Sequence, residues 1–289
     1  MSPAVAEGEA GVSDANGSMA VAPERGDEGG EVAATERGSC RRVLGVGVDA
    51  LEPNGAFEQI TAWASARVSA RVAFMPVHSL VTAARERRFA EALSRFALVL
   101  ADGQPVRWML NLRHRSGLAE RVYGPTMMWR LCGWAAEQGC PVYLYGGKQE
   151  VLHTLVARLE QAFAGLRVVG AESPPFRALS DEEVTAARER INASGARLVF
   201  VGLGCPKQEL LADRLGDEVR AVQLCVGAAF DFHAGAVSMA PAWMQRRGLE
   251  WLYRLMREPR RLWKRYLVTN TLFLVMAAGE MVRPRRGLA

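Results

Sequence analysis

The sequence predicts an α/β protein with a mostly parallel sheet covered by helices on both faces, and three observations carry that prediction. Residues 97–101, 142–145 and 198–201 are apolar throughout, as strands buried on both faces must be. Amphipathic helical stretches alternate with such runs along most of the chain. The strands run into Asp102-Gly103, Gly146-Gly147, Gly202-Leu203-Gly204 and Gly227, turns suited to a crevice at the carboxyl ends of a sheet.

Taken in order, residues 1–39 hold eight acids and two arginines but no aromatic residue, Leu or Ile. With so little to bury, residues 1–40 are expected to be a disordered N-terminal segment. From Arg42 the pattern changes. Residues 43–48 read as a strand, 53–69 as a helix with Pro53 in its first turn, and 71–75 as a strand. One helix is expected over 80–96, because Leu80, Ala83, Ala84, Phe89, Ala92, Leu93 and Phe96 fall near one face. Strand 97–101 stops at Asp102-Gly103, and a helix follows.

Gly124-Pro125 opens a helix through Glu137, which Gly139 closes. Strand 142–145 ends in Gly146-Gly147, and the helix after it reaches Phe163. Residues 167–169 form a strand and 173–179 a Pro-rich loop. Ser180 and Glu183 have capping-box spacing. Strands 198–201 and 221–226 enclose a helix that Pro206 opens. A catalytic core over 41–240 is thus expected, with a helical appendage over 241–289.

That appendage has its own composition. Leu249, Trp251, Leu252, Leu255, Met256, Leu262 and Trp263 interleave with Arg254, Arg257, Arg260, Arg261, Lys264 and Arg265, and Pro259 divides the run into two helices. Residues 246–289 carry eleven Lys or Arg against three acids, in a chain whose net charge is +5. Basic residues mixed with Trp and Leu suit an anionic membrane surface. No helix-turn-helix or other nucleic-acid module precedes them, so no nucleic-acid partner is expected. The longest apolar run of this region, 271–278, is far short of the roughly 20 residues that span a bilayer. The five cysteines form no CxxC pair and their number is odd, which points to a reducing cytoplasm. The first residues lack the basic region and apolar run of a secretory leader.

Residue by residue, the motifs leave alternatives. Gly45-Val46-Gly47-Val48-Asp49-Ala50 has the GxGxxA form of a dinucleotide site, the basis for a rival reading as a nicotinamide-dependent oxidoreductase, but no helix begins before Pro53. Asp102 is either a functional carboxylate at the sheet edge or a helix cap. Gly146-Gly147 would let amides approach a phosphate or simply make a tight turn. After Gly204, Lys207 could neutralise phosphate and Gln208 could make paired hydrogen bonds to a base or sugar, unless this is only a solvated helix start. Asp231 and His233 have no third ligand at a familiar spacing, and DxD is absent, so no metal site is expected.

In order along the chain stand Asp102-Gly103, Tyr123-Gly124-Pro125, Tyr145-Gly146-Gly147, Val201-Gly202-Leu203-Gly204-x-Pro206-Lys207-Gln208-Glu209, Gly227-x-x-Phe230-Asp231, Ala240-Pro241-x-Trp243 and Gly248-Leu249-Glu250-Trp251-Leu252-x-Arg254-x-x-x-Glu258-Pro259-x-Arg261. Over residues 43–266 this set resembles the WecG/TagA/CpsF glycosyltransferase family.

The resemblance implies a Rossmann-like core. It also implies inverting transfer of a hexose or N-acetylmannosamine-type sugar from a UDP-sugar to a saccharide on polyprenyl diphosphate. By the same resemblance Asp102 is the general base, and Gln208 and Asp231 contact the nucleotide sugar in a site with Gly103, Gly146, Gly147, Gly204 and Lys207. Arg254 and Arg261 neutralise the leaving diphosphate, work a metal does in DxD enzymes, so no metal cofactor is expected. The appendage docks on the membrane and helps close the site, placing the protein on the cytoplasmic, inner face of a bacterial plasma membrane.

One stretch departs from the family pattern. Pro76 stands where the family usually has Asn. Either His78 or Ser79 takes its place in the sugar pocket, or sugar specificity differs, or activity is impaired. A non-enzymatic membrane scaffold is the remaining rival, and self-association is left open by the sequence.

Overall fold

The computed structural model describes residues 39–282. The N-terminal segment expected to be disordered therefore lies almost wholly outside the described residues.

The chain opens with β1 (Cys40–Val43) and β2 (Val46–Asp49), followed by α1 (Pro53–Ala66), β3 (Ala70–Met75), α2 (Val77–Arg85) and α3 (Arg87–Ser94). Next come β4 (Leu98–Ala101), α4 (Gln104–His114), α5 (Gly124–Glu137), β5 (Val142–Gly146), α6 (Gln149–Ala162), β6 (Val168–Glu172) and α7 (Asp181–Ala193). The remainder is β7 (Leu198–Gly202), α8 (Lys207–Leu215), β8 (Val222–Cys225), α9 (Ala229–His233), α10 (Ala242–Arg246), α11 (Glu250–Arg257) and α12 (Pro259–Val282).

The strands form one eight-stranded sheet in the order β1-β2-β4-β3-β8-β7-β5-β6. All neighbours pair in parallel except β1 with β2. Side chains alternate between two buried layers, as the period of a strand requires. Val72, Phe74, Leu98, Leu100, Leu144 and Phe200 face α1, α5, α6 and α9. On the other face, Ala73, Met75, Val99 and Ala101 meet α2, α3 and α4. Tyr143, Tyr145, Val199 and Val201 meet α7 and α8.

Two sequence expectations need correction. Residues 43–48 form a hairpin and not one strand, because Leu44 and Gly45 both adopt positive φ (51° and 81°) and reverse the chain. The GxGxxA pattern therefore occupies a hairpin turn and an adjoining strand. It does not form the strand-to-helix turn a dinucleotide site needs, which removes the basis for the oxidoreductase reading. The helix expected over 80–96 is two helices, parted at Glu86 (φ −112°, ψ 102°). Leu80 and Ala83 on one helix, and Phe89 and Leu93 on the other, all enter the same core cluster. No Gly or Pro marks that break, so only packing reveals it.

The capping box at Ser180 is present in both directions: Glu183 N donates to Ser180 Oγ at 3.3 Å, and Ser180 N to Glu183 Oε2 at 2.8 Å. At the other end of the chain, α12 continues well past the expected basic stretch. Its Phe273 and Ala277 are buried in the cluster shared with α2, and Leu44 N donates to Glu280 Oε2 at 2.6 Å. The helical C-terminal part is thus packed along the core. Among the described residues, no helix is long and apolar enough to cross a membrane.

Candidate active site

β3 and β8 lie side by side at the centre of the sheet, but the chain leaves them toward opposite faces. α2 enters one core layer and α9 the other. In an open α/β sheet, such a divergence is where a crevice forms outside the carboxyl ends of the strands. Met75, Ala101, Gly202 and Cys225 end the strands that surround it.

Asp102 leaves β4 beside the end of β3, where its N–H donates to Met75 O at 3.3 Å. A Cβ added at Gly103 would lie 3.5 Å from Pro76 Cα, so the Asp-Gly turn abuts the stretch that departs from the family pattern. Asp102 Oδ1 accepts from Gly124 N at 3.4 Å, which makes it a cap for α5 as well. That contact uses one carboxylate oxygen. Burial pushes the Asp102 carboxyl up to about 6, with Glu250 adding to the rise and Arg121, the Gly124 amide and Arg254 opposing it. A carboxylate so tuned is ionised at neutral pH yet takes a proton more readily than an exposed one.

α11 and α12 bring arginines to the same place. Arg254 is close enough to act electrostatically on Asp102, Asp231 and His78. Its guanidinium lies 5.5 Å from the centroid of Phe232, and its Nε is buried without a hydrogen-bond partner. Arg261 also acts on Asp231, pairs with Glu258 at 2.6 Å, and is 63% exposed. Burial raises the Asp231 carboxyl, while Arg261, Arg254 and Lys148 pull it back toward ionisation. Arg254 thus lies within electrostatic reach of both Asp102 and Asp231, and Arg261 of Asp231, so three separate parts of the chain contribute to one charged neighbourhood.

His78 belongs to this group. Its Nδ1 lies 3.4 Å from Arg265 Nη2 and its Nε2 3.3 Å from Ser79 Oγ. Burial, with Arg265 and Arg254 adding to it, lowers the imidazole to about 3, so His78 is neutral. Neutral Nδ1 then accepts from Arg265, which leaves Nε2–H to donate to Ser79. Ser79 is only 1% exposed and hydrogen-bonds Cys205, so His78 and not Ser79 presents a polar group toward the arginines.

The structure gives the remaining motif residues internal work. Gln208, 3% exposed, accepts from Gly204 N at 3.1 Å and donates to Cys225 O at 3.0 Å and Glu209 Oε1 at 2.9 Å. The paired hydrogen bonds expected toward a base or sugar are made inside the protein, where they tie the loop after β7 to the end of β8. Gly204 N is used in the same way. Gly147 N donates to Gly202 O at 3.0 Å, so that amide braces the β5 and β7 ends and does not face a phosphate. Gly146 has φ 127°, and an added Cβ would meet the Gly202 carbonyl carbon at 2.7 Å. Gly146→Ala should therefore cost about 3 kcal/mol or more through backbone strain and displacement of β7, read as a lowered urea midpoint. Lys207 is exposed at the start of α8, its Nζ 4.3 Å from the Phe176 ring centroid.

His233 Nε2 is 2.8 Å from Pro125 O and its ring stacks on Trp129, which accounts for it structurally. Among the described residues, no three His, Cys, Asp or Glu side chains gather as a metal site would need.

Sequence reasoning missed Arg121, Tyr123, Glu250 and Arg265. Arg121 Nη1 donates to Asp102 O at 3.0 Å, and its Nη2 pairs with Glu250 Oε2 at 2.6 Å. Glu250 Oε1 accepts from Tyr123 OH at 2.7 Å. Tyr123 and Glu250 stand within the Tyr123-Gly124-Pro125 and Gly248-Leu249-Glu250-Trp251 motifs, so position signalled them, but nothing in the sequence showed that they meet. A family model described as Glycosyl transferase WecG/TagA/CpsF family matches residues 41–287.

Proposed function

Because the chain belongs to the WecG/TagA/CpsF glycosyltransferase family, we propose that it transfers a sugar from a UDP-sugar, with inversion, to a saccharide on polyprenyl diphosphate during bacterial surface polysaccharide synthesis. The observation that carries this reading is that Arg254 lies within electrostatic reach of both Asp102 and Asp231, each at the end of a strand or just beyond it. Asp102 removes the acceptor hydroxyl's proton as that oxygen attacks the anomeric carbon. The bond from that carbon to the diphosphate oxygen breaks, and UDP leaves with the electron pair. Arg254 and Arg261 stand where the departing charge develops, so the protein's own cations do the neutralising without a metal cofactor. Asp231 orients the donor, and Gln208 supports the donor loops from beneath.

The acceptor's lipid fits the surface of the C-terminal helices. Leu267, Val268, Leu274 and Val275 are more than half exposed on α12, and Arg260, Trp263 and Lys264 are exposed near its start. Such a face suits docking on an anionic inner-leaflet surface by apolar insertion and charge together.

UDP should protect the protein against thermal unfolding, by linkage of binding to folding, while NAD and NADP should not. Incubation with a panel of UDP-sugars and a lipid-diphosphate saccharide, in buffer containing EDTA, should then yield an extended lipid-linked product. No UDP protection together with no product from any sugar would refute the proposal.

A further inference from the structure

The Arg121 side chain is mostly buried, 12% exposed, and lies between two carboxylates. One is Asp102, on which Arg121 exerts the largest opposing charge effect; the other is Glu250, at the first position of α11. In the structure the guanidinium faces Glu250. It makes the 2.6 Å ion pair there, gives Asp102 only a backbone hydrogen bond, and rests 4.2 Å from the Tyr123 ring centroid. Tyr123 closes the arrangement by donating to the second oxygen of Glu250 at 2.7 Å. Glu250 thus uses both oxygens on the segment that leads into α5, the helix whose first amide touches Asp102.

A carboxylate beside an unneutralised arginine is a poor base, since the pairing stabilises its ionised form and occupies its oxygens. Glu250 is 14% exposed and supplies the competing charge. Glu250 and Arg254 both sit on α11, so one helix carries both charges to Asp102.

We propose that Glu250 is a positioning residue for transfer, which holds Arg121 away from the Asp102 carboxylate and so makes base competence depend on α11. Without Glu250, Arg121 turns to Asp102 and masks it. The inference rests on the reading of Asp102 as the base.

The groups facing Asp102 are Arg121 and the Gly124 amide from the segment entering α5, and Glu250 and Arg254 from α11. The test is a titration of the full-length protein with carbon-13-labelled aspartate carboxyls, the Asp102 resonance being assigned by its loss in Asp102→Asn. Glu250→Gln keeps the shape and removes the charge, and should lower the Asp102 midpoint by about one to three pH units. Arg121→Gln alone should raise it. The double variant Glu250→Gln with Arg121→Gln should return the midpoint toward the wild-type value, because the masking cation is gone.

If Glu250 serves only to hold α11 in place, the midpoint will fall in Glu250→Gln through renewed hydration and stay low in the double variant, which overturns the proposal. An unchanged midpoint in Glu250→Gln also overturns it. Turnover measured alongside separates the premises. A near-normal rate in Asp102→Asn removes the base reading itself, whereas an inactive Asp102→Asn with an unshifted Glu250→Gln titration removes only the role of Glu250.

Discussion

Asp102→Asn should lower transfer by about 10²–10⁴-fold, the usual contribution of a positioned general base, while the protein still folds and binds UDP. The amide oxygen of Asn can still accept the Gly124 hydrogen bond, so the cap on α5 is retained and only basicity is lost. The same substitution should stabilise the fold. Burial raises the Asp102 carboxyl to about 6, above the ordinary carboxylate value. The folded protein therefore binds that proton more tightly than the unfolded chain. By linkage, the stability associated with the protonated group is full below about pH 4 and is lost as pH rises through about 6. At pH 7 the ionised Asp102 weighs against folding, and Asn should recover about 1–2 kcal/mol, seen as a higher Tm. Wild-type kcat/KM should correspondingly fall as pH drops below about 6, where the base becomes protonated. Near-normal turnover in Asp102→Asn would remove the residue from this role, and a lowered Tm would show that its burial is less costly than the geometry implies.

Arg254→Gln should lower kcat by about 10²–10³-fold, as removal of a preorganised charge from a developing anion does. Arg261→Gln should lower it by about tenfold or less, because that side chain is mostly exposed and already paired with Glu258. The asymmetry follows from the structure. Arg254 is half-buried against Phe232, its Nε has no partner, and it makes no ion pair with a described residue, so its charge is available to a ligand. Arg254→Lys should retain part of the rate by keeping the charge without the planar fork. Steady-state kinetics on a common UDP-sugar would check the ranking. Equal effects at the two positions would mean that exposure does not decide which arginine meets the diphosphate.

The sheet and most helices were legible because their signals are local. Continuous apolar runs mark strands covered on both faces, Pro53 and Pro125 stand in the first turns of α1 and α5, and Ser180 with Glu183 marks the start of α7. Local signals fail where a neighbour decides the outcome. A turn at Leu44 requires positive φ from a residue that seldom adopts it, and the break at Glu86 parts two short helices that both bury residues in one core cluster. Gln208 shows the same limit in the site. Its polar amide after a glycine-bearing turn suggested a ligand contact, yet the backbone groups of Gly204 and Cys225 consume it.

By itself, the sequence determined the α/β class, the family, and a short set of polar residues at strand ends, because each of these depends on residue order and short-range chemistry. Tertiary structure alone decided which of them act on one another. Asp102 and Glu250 are joined through Arg121 across 148 positions of chain, and Arg265 meets His78 across 187. Such pairings arise when helices from the chain's end pack over strand ends formed near its beginning. No local pattern encodes that packing, and the electrostatics of the site depend on it.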